Sequence, residues 1–223
     1  VMAAGSRLQF GMRRQGTRAY LTVAGGLDGP LMLGSRSTHV WSGLGGLAGR
    51  ALKKWDQLNV GPARAAAKHY VGHTLPESNR SQYQRAAAIR VVPGPQVDRF
   101  MDDALERLTR TPYRLTTESD RMGYRLQGLT LAHRTSADIV SDAVSVGTIQ
   151  VPADQQPILL MADCQTTGGY AKLATMIVAD RSCAAQVSPG DTLSFIATTY
   201  ESASILLRSA QAELDRLLPP KDA

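Results

Sequence analysis

The sequence predicts a mainly β fold with two or more covering helices, and three observations carry that prediction. Short segments of strand length, bounded by Gly, Pro, Asp or Ser, recur along the chain, and several alternate apolar and polar side chains. The composition supplies turns, with 20 Gly and 11 Pro among 223 residues. Hydrophobic residues at 43% and charged residues at 20% are globular values, which exclude a disordered or fibrous chain.

In chain order, strands are expected at residues 7–10, 19–24, 89–92, 113–117, 123–127, 148–151, 157–162, 172–178 and 192–197. Tyr124, Arg125, Leu126 and Gln127 alternate, giving that strand one buried and one wet face. Two helices interrupt the strands. Val97, Phe100, Met101, Leu105 and Leu108 recur at helical spacing behind Pro95, predicting a helix over 96–109. Ile205, Leu206, Leu214, Leu217 and Leu218 predict another over 201–218, stopped by Pro219 and Pro220. Both read as amphipathic covers packed on a sheet. Residues 4–10 echo residues 189–195, with a partial third copy at 54–58, a pattern that hints at two similar barrels. The chain is accordingly divided into the C-terminal part of a first β-barrel subdomain (1–60), a basic linker (61–88) and a second β subdomain with a C-terminal helix (89–223).

The formal net charge is +6, and Arg64, Lys68, Arg80, Arg85 and Arg90 face only Glu77 within residues 61–90. These charges sit in an Ala-rich segment punctuated by Gly and Pro rather than clustered with aromatics on a folded face. The segment reads as a solvated linker, and no nucleic-acid partner is expected. No run of 18 apolar residues exists, so neither a span nor a membrane partner is expected. Cys164 and Cys183 are too few for a disulfide framework and suggest a reducing cytoplasm. Residues 1–14 hold neither a long apolar core nor a small-residue cleavage signal, so no secretory leader is expected. Val1 is read as the start of an interior strand of something longer.

Among motifs, Gly43-Leu44-Gly45-Gly46-Leu47-Ala48 matches the dinucleotide pattern but lacks the preceding strand and the following acid, and reads as a glycine-rich turn. His69, His73 and Glu77 share a spacing of four, yet Gly72 and Pro76 would disturb the helix such a metal site needs. No metal is expected. Neither a P-loop nor a nucleophile elbow occurs. Residues 162–172 are different in kind, a loop at a sheet end. They combine Gln165, the hydroxyls of Thr166 and Thr167, Gly168, Gly169, the phenol of Tyr170 and the ammonium of Lys172. Glycines let backbone amides approach an anion or polarised carbonyl, and a lysine adds point charge. A polar hairpin without function fits the same residues. Ser35 and Arg36 place a guanidinium among hydroxyls, suited to gripping a carboxylate. Asp120, in the turn 118–123, is either part of a salt-bridged corner or a base or orienting acid.

Several of these segments, in order, resemble one family. They run Gly16 to Asp28, Leu33 to Thr38, Gly43 to Leu47, Val92-Pro93-Gly94-Pro95, Ser119 to Gly123, Gly147 to Pro152, and Gln165 to Tyr170 with Lys172. The pattern is similar to the C subunit of bacterial 5-oxoprolinase, a family also described as allophanate hydrolase subunit 2 or the biotin-dependent carboxylase-like domain. It covers the chain from about residue 5 to residue 206. Cys164 stands where the family has arginine and Ala171 where it has proline, and the family's N-terminal third, with its Thr-x-Gln-Asp-x-Gly-Arg segment, is missing.

The resemblance implies a cyclophilin-like β-barrel architecture in the cytoplasm. It implies two partners, the B subunit (allophanate hydrolase subunit 1-like) and an A subunit of the lactam-utilisation type. It implies a small-molecule substrate, 5-oxo-L-proline, opened with ATP and water to L-glutamate, ADP and phosphate. ATP would phosphorylate the lactam oxygen, making an imidate-like species that water attacks. ATP would be bound here or by one of the partners. Lys172 and Asp120 would then be catalytic, with Arg36, Ser35, Gln165, Thr166, Thr167, Gly168, Gly169 and Tyr170 holding substrate. Two alternatives stay open: an allophanate hydrolase or urea carboxylase-type component, and a non-catalytic regulator that antagonises a kinase inhibitor. A barrel short of strands would expose an unpaired edge, so the chain is expected to self-associate unless the B subunit covers it.

Overall fold

The structure, a computed structural model, describes residues 2, 5–63, 72, 74–77 and 83–217. Half of the expected basic linker, with His69 and His73, lies outside the described residues. The chain divides into two compact units: residues 1–8, 19–76 and 222–223, and residues 9–18 with 77–221.

The first unit holds one short antiparallel pair, β1 (Leu27–Asp28) with β2 (Asn59–Val60), Leu27 facing Val60. Its other described residues are turns and irregular chain, with isolated bridges at Met32–Ser35 and His39–Leu44. Strands expected at 7–10 and 19–24 do not form, because no described segment pairs with them and Leu8, Phe10, Tyr20 and Leu21 stay exposed. Residues 54–58 are likewise no strand copy: Trp55 has φ 75° and its side chain is 85% exposed. The segment 43–49 is the glycine-rich turn its composition predicts. A Cβ on Gly49 would stand 1.8 Å from the Gly43 carbonyl oxygen, so the turn closes only on glycine.

In the second unit the alternating segments form β3 (Ala86–Pro93), β4 (Tyr113–Leu115), β5 (Gly123–Gln127), β6 (Asp138–Ala143), β7 (Thr148–Gln150), β8 (Ile158–Leu160), β9 (Thr167–Tyr170), β10 (Lys172–Met176) and β11 (Thr192–Ala197). Seven close a barrel in the order β10-β3-β11-β4-β5-β8-β7, antiparallel except for the β3–β11 pair. β6 and β9 form a separate antiparallel ribbon. Inward side chains such as Ile89, Leu126, Ile149, Leu159, Leu173 and Phe195 make the core. Burying each contributes about 1.5–3 kcal/mol. The helices are α1 (Ala104–Arg110), α2 (Arg181–Ala184) and α3 (Tyr200–Leu217). More described residues lie in strands than in helices, as the composition predicts.

Three expectations need correction. The helix over 96–109 splits into a 3₁₀ turn at Val97–Arg99 and α1, because Phe100 is extended, bridges His133, and is followed by a Met101 amide donating to the Ala132 carbonyl at 3.0 Å. The strand over 172–178 stops at Met176, and the chain turns through Val178–Asp180 into α2. That turn delivers Asp180, 4% exposed, to Arg90 of β3. The C-terminal helix forms but does not cover a sheet: no residue of α3 is buried, and Ile205 and Leu214 are more than half exposed.

Tyr113 supplies the first prediction. Its ring is fully buried edge-on to Phe195 and its hydroxyl donates to the Leu129 carbonyl at 2.9 Å. Burial pushes the phenol up to about 12 from an ordinary 10.0. The proton is therefore held more tightly in the folded state, so this contribution is intact below pH about 10 and is lost as pH rises toward 12. Two units correspond to about 3 kcal/mol. Chemical denaturation in steps through this range should show the loss, and Tyr113→Phe should abolish that portion of it.

Candidate functional site

The conspicuous polar cluster of the second unit lies where β10 begins. Gly94 packs directly on that strand: its amide donates to the Leu173 carbonyl at 2.8 Å, and a Cβ would stand 2.3 Å from the Lys172 carbonyl oxygen. Gln96 then brackets Lys172, its amide donating to the Lys172 carbonyl at 3.4 Å and its Oε1 accepting the Lys172 amide at 3.3 Å. The Pro-Gly-Pro-Gln sequence thus fixes the lysine's backbone, and the side chain runs inward with 4% exposure.

Lys172 Nζ forms an ion pair with Asp142 of β6 and donates to the Ala143 carbonyl at 2.8 Å. Asp142 keeps 52% of its side chain exposed. The Lys172 ammonium bonded to it, helped by the Ala143 amide, holds its carboxyl below the usual carboxylate range. The pair is close to neutral as a unit, with the anion outside and the cation inside.

Residues 165–170 do not form a plain loop, which corrects the expectation for 162–172. Thr167, Gly168, Gly169 and Tyr170 make β9, with Gly168 opposite Asp142 and Tyr170 opposite Asp138. Two adjacent glycines disfavour a strand, and pairing with β6 overrides that preference. Beneath the ribbon lies Gln150, 2% exposed, whose Nε2 donates to the Tyr170 carbonyl at 3.3 Å. A Cβ on Gly168 would stand 2.7 Å from that Nε2, so glycine is what lets the buried amide fit. Gln165 and Thr166 are exposed, and the Thr166 carbonyl accepts the Val144 amide at 3.0 Å. Tyr170 is 41% exposed.

Other expected site residues have local tasks. Asp120 Oδ1 accepts the amides of Met122 at 2.8 Å and Gly123 at 3.1 Å, which closes the turn before β5. The neighbouring Arg121 pairs bidentately with Asp163, at 2.6 and 2.8 Å. Arg36 and Ser35 belong to the first unit. The Arg36 Nε donates to the Gly29 carbonyl at 3.2 Å and its guanidinium lies 3.6 Å from Asp28, while Ser35 Oγ accepts the Ser37 amide at 3.1 Å. Cys164 and Cys183 are free thiols, and burial pushes the Cys164 thiol up. Among the described residues no group of three or more His, Cys, Asp or Glu is placed to hold a metal, and no helix is long and apolar enough to cross a membrane.

Sequence reasoning placed Lys172 and the glycine pair at the centre but missed Asp142, Gln150 and Gln96. Gln150 lies inside the Gly147–Pro152 motif and Gln96 adjoins Pro95, so both carried a signal. Asp142 carried none.

Residues 1–197 match the family described as carboxyltransferase domain, subdomain A and B. The chain is 38% identical over 217 residues to the 5-oxoprolinase C subunit of Escherichia coli, covering 97% of this chain and 67% of that protein. The corresponding protein of Haemophilus influenzae is 36% identical, again over 67% of its length. Urea amidolyase of Saccharomyces cerevisiae is 29% identical over 96% of this chain and 12% of its own. Among solved structures, the Kluyveromyces lactis urea carboxylase superposes with a TM-score of 0.76 at 28% identity, over 93% of this chain and 20% of that one. The K. lactis urea amidolyase gives 0.80 at 26% identity, over 92% and 13%.

Proposed function

The chain belongs to the carboxyltransferase domain family, subdomains A and B, and is homologous to the C subunit of 5-oxoprolinase; from that premise we propose that it is one component of an ATP-dependent lactam hydrolase that opens 5-oxo-L-proline to L-glutamate. The observation that carries this reading is the likeness to the two bacterial proteins, which is higher in identity and spans far more of the relative than the likeness to the urea enzymes. It works with a B subunit and with an A subunit of the lactam-utilisation type, in the cytoplasm.

The ribbon β6–β9, with Lys172, borders the substrate site in this reading. A nucleotide's polyphosphate does not fit there: the ammonium is buried and already paired with Asp142, so the cluster offers little net positive charge. ATP is therefore assigned to one of the partners. What the second unit contributes is a fixed carboxylate, a bare Gly168–Gly169 backbone and a buried amide, groups suited to holding a small polar molecule in one orientation. Taken by itself, the first unit is proposed to offer Arg36, with Ser35 nearby, as a carboxylate-binding group.

The test is ADP release by the full chain co-expressed with its partners. Release should rise with 5-oxo-L-proline and not with urea or allophanate. Stimulation by urea alone would overturn the proposal in favour of a urea carboxylase-type component.

A further inference from the structure

We propose that Asp142, rather than Lys172, is the side chain this unit presents to substrate, that it accepts a ligand N–H, and that Lys172 is its positioning residue; the inference rests on the reading that the β6–β9 ribbon borders the substrate site. The exposures divide the pair. The Lys172 side chain is 4% exposed and the Asp142 side chain 52%. Two of the three ammonium donors are used internally, on Asp142 and on the Ala143 carbonyl. A group so enclosed meets no ligand without rearrangement.

Asp142 is oriented by two groups: Lys172 bonds Oδ2 and the Ala143 amide donates to Oδ1 at 2.7 Å. A carboxylate has about four acceptor positions, so capacity remains on its exposed side. The lysine keeps it ionised, which makes it an acceptor only and unfavourable to an anion. Opposite it on β9 stands Gly168, followed by Gly169, so no side chain rises from that strand beside the carboxylate. The complementary ligand is a small neutral amide group with a free N–H. A lactam has one, and so does urea; a lactam methylated at nitrogen does not.

The experiment uses the assembled complex, with 5-oxo-L-proline and its N-methyl derivative as probes, read by calorimetric binding and by steady-state kinetics. Wild-type complex should bind the N-methyl compound roughly ten- to a hundredfold more weakly than 5-oxo-L-proline, the range expected for a hydrogen bond to a charged group. Asp142→Asn should raise KM for 5-oxo-L-proline by a similar factor, change kcat far less, and narrow the discrimination. Asp142→Glu keeps the charge beside Lys172 and moves the carboxylate by one methylene, so it should lose affinity without losing assembly. If 5-oxo-L-proline binds and both variants keep wild-type KM, the assignment of Asp142 fails while the functional reading stands. If the wild-type complex binds no 5-oxo-L-proline, both fail.

Discussion

Replacing Lys172 by methionine should lower kcat/KM for 5-oxo-L-proline by about a hundredfold in the assembled complex, the scale expected when a ligand-facing group is misplaced by about an ångström. The ammonium fixes Asp142 through Oδ2, and methionine fills similar space without the charge. The carboxylate would then be free to reorient into solvent. A separate readout distinguishes positioning from loss of fold. With Lys172 gone, the Asp142 carboxyl should titrate closer to the ordinary carboxylate range, a rise visible in its carboxyl carbon resonance, because the lysine is the main influence holding it down. Wild-type turnover together with normal assembly would mean that the pair serves structure alone.

The largest stability effect is expected at the other end of the barrel. Arg90 of β3 donates to Asp180 from Nε at 3.0 Å and from its terminal nitrogen at 2.5 Å, and its amide donates to the same carboxylate at 2.7 Å. The Asp180 side chain is 6% exposed while that of Arg90 is 35% exposed. Arg90→Leu would leave a buried carboxylate with only the backbone amide, a change that costs about 3 kcal/mol or more. For a domain of this size each kcal/mol lowers Tm by about 2–4 °C, so a fall of roughly 10 °C should appear in thermal unfolding. Asp180→Asn should cost less, since the amide can still accept from Arg90 and no charge is stranded.

Part of the barrel was legible because some of its strands obey a period of two. Residues 123–127 and 192–197 match at both ends, and Tyr124 and Leu126 bury while Arg125 and Gln127 do not. The ribbon was not legible. β6 surrounds Ile139 and Val140 with Asp138, Ser141 and Asp142 and is largely exposed, so it shows too little apolar alternation to signal a strand. β9 is half glycine, and only its partner makes it a strand. The same pairing builds the site. Lys172 and the glycines announced themselves by residue type, but Asp142 lies 30 residues from Lys172 in sequence and meets it through tertiary structure alone. The helix expected over 96–109 had the right apolar spacing, and long-range bonding at Phe100 and Met101 broke it.

As a proposed component of a 5-oxo-L-proline hydrolase, this chain should be required for the reaction, and reconstitution with its partners measures that requirement. The partners, purified with and without the chain, are assayed for L-glutamate and ADP formed from 5-oxo-L-proline. Equal amounts of both products are expected when the chain is present and little of either when it is absent. Glutamate formed at the same rate without the chain would contradict that requirement.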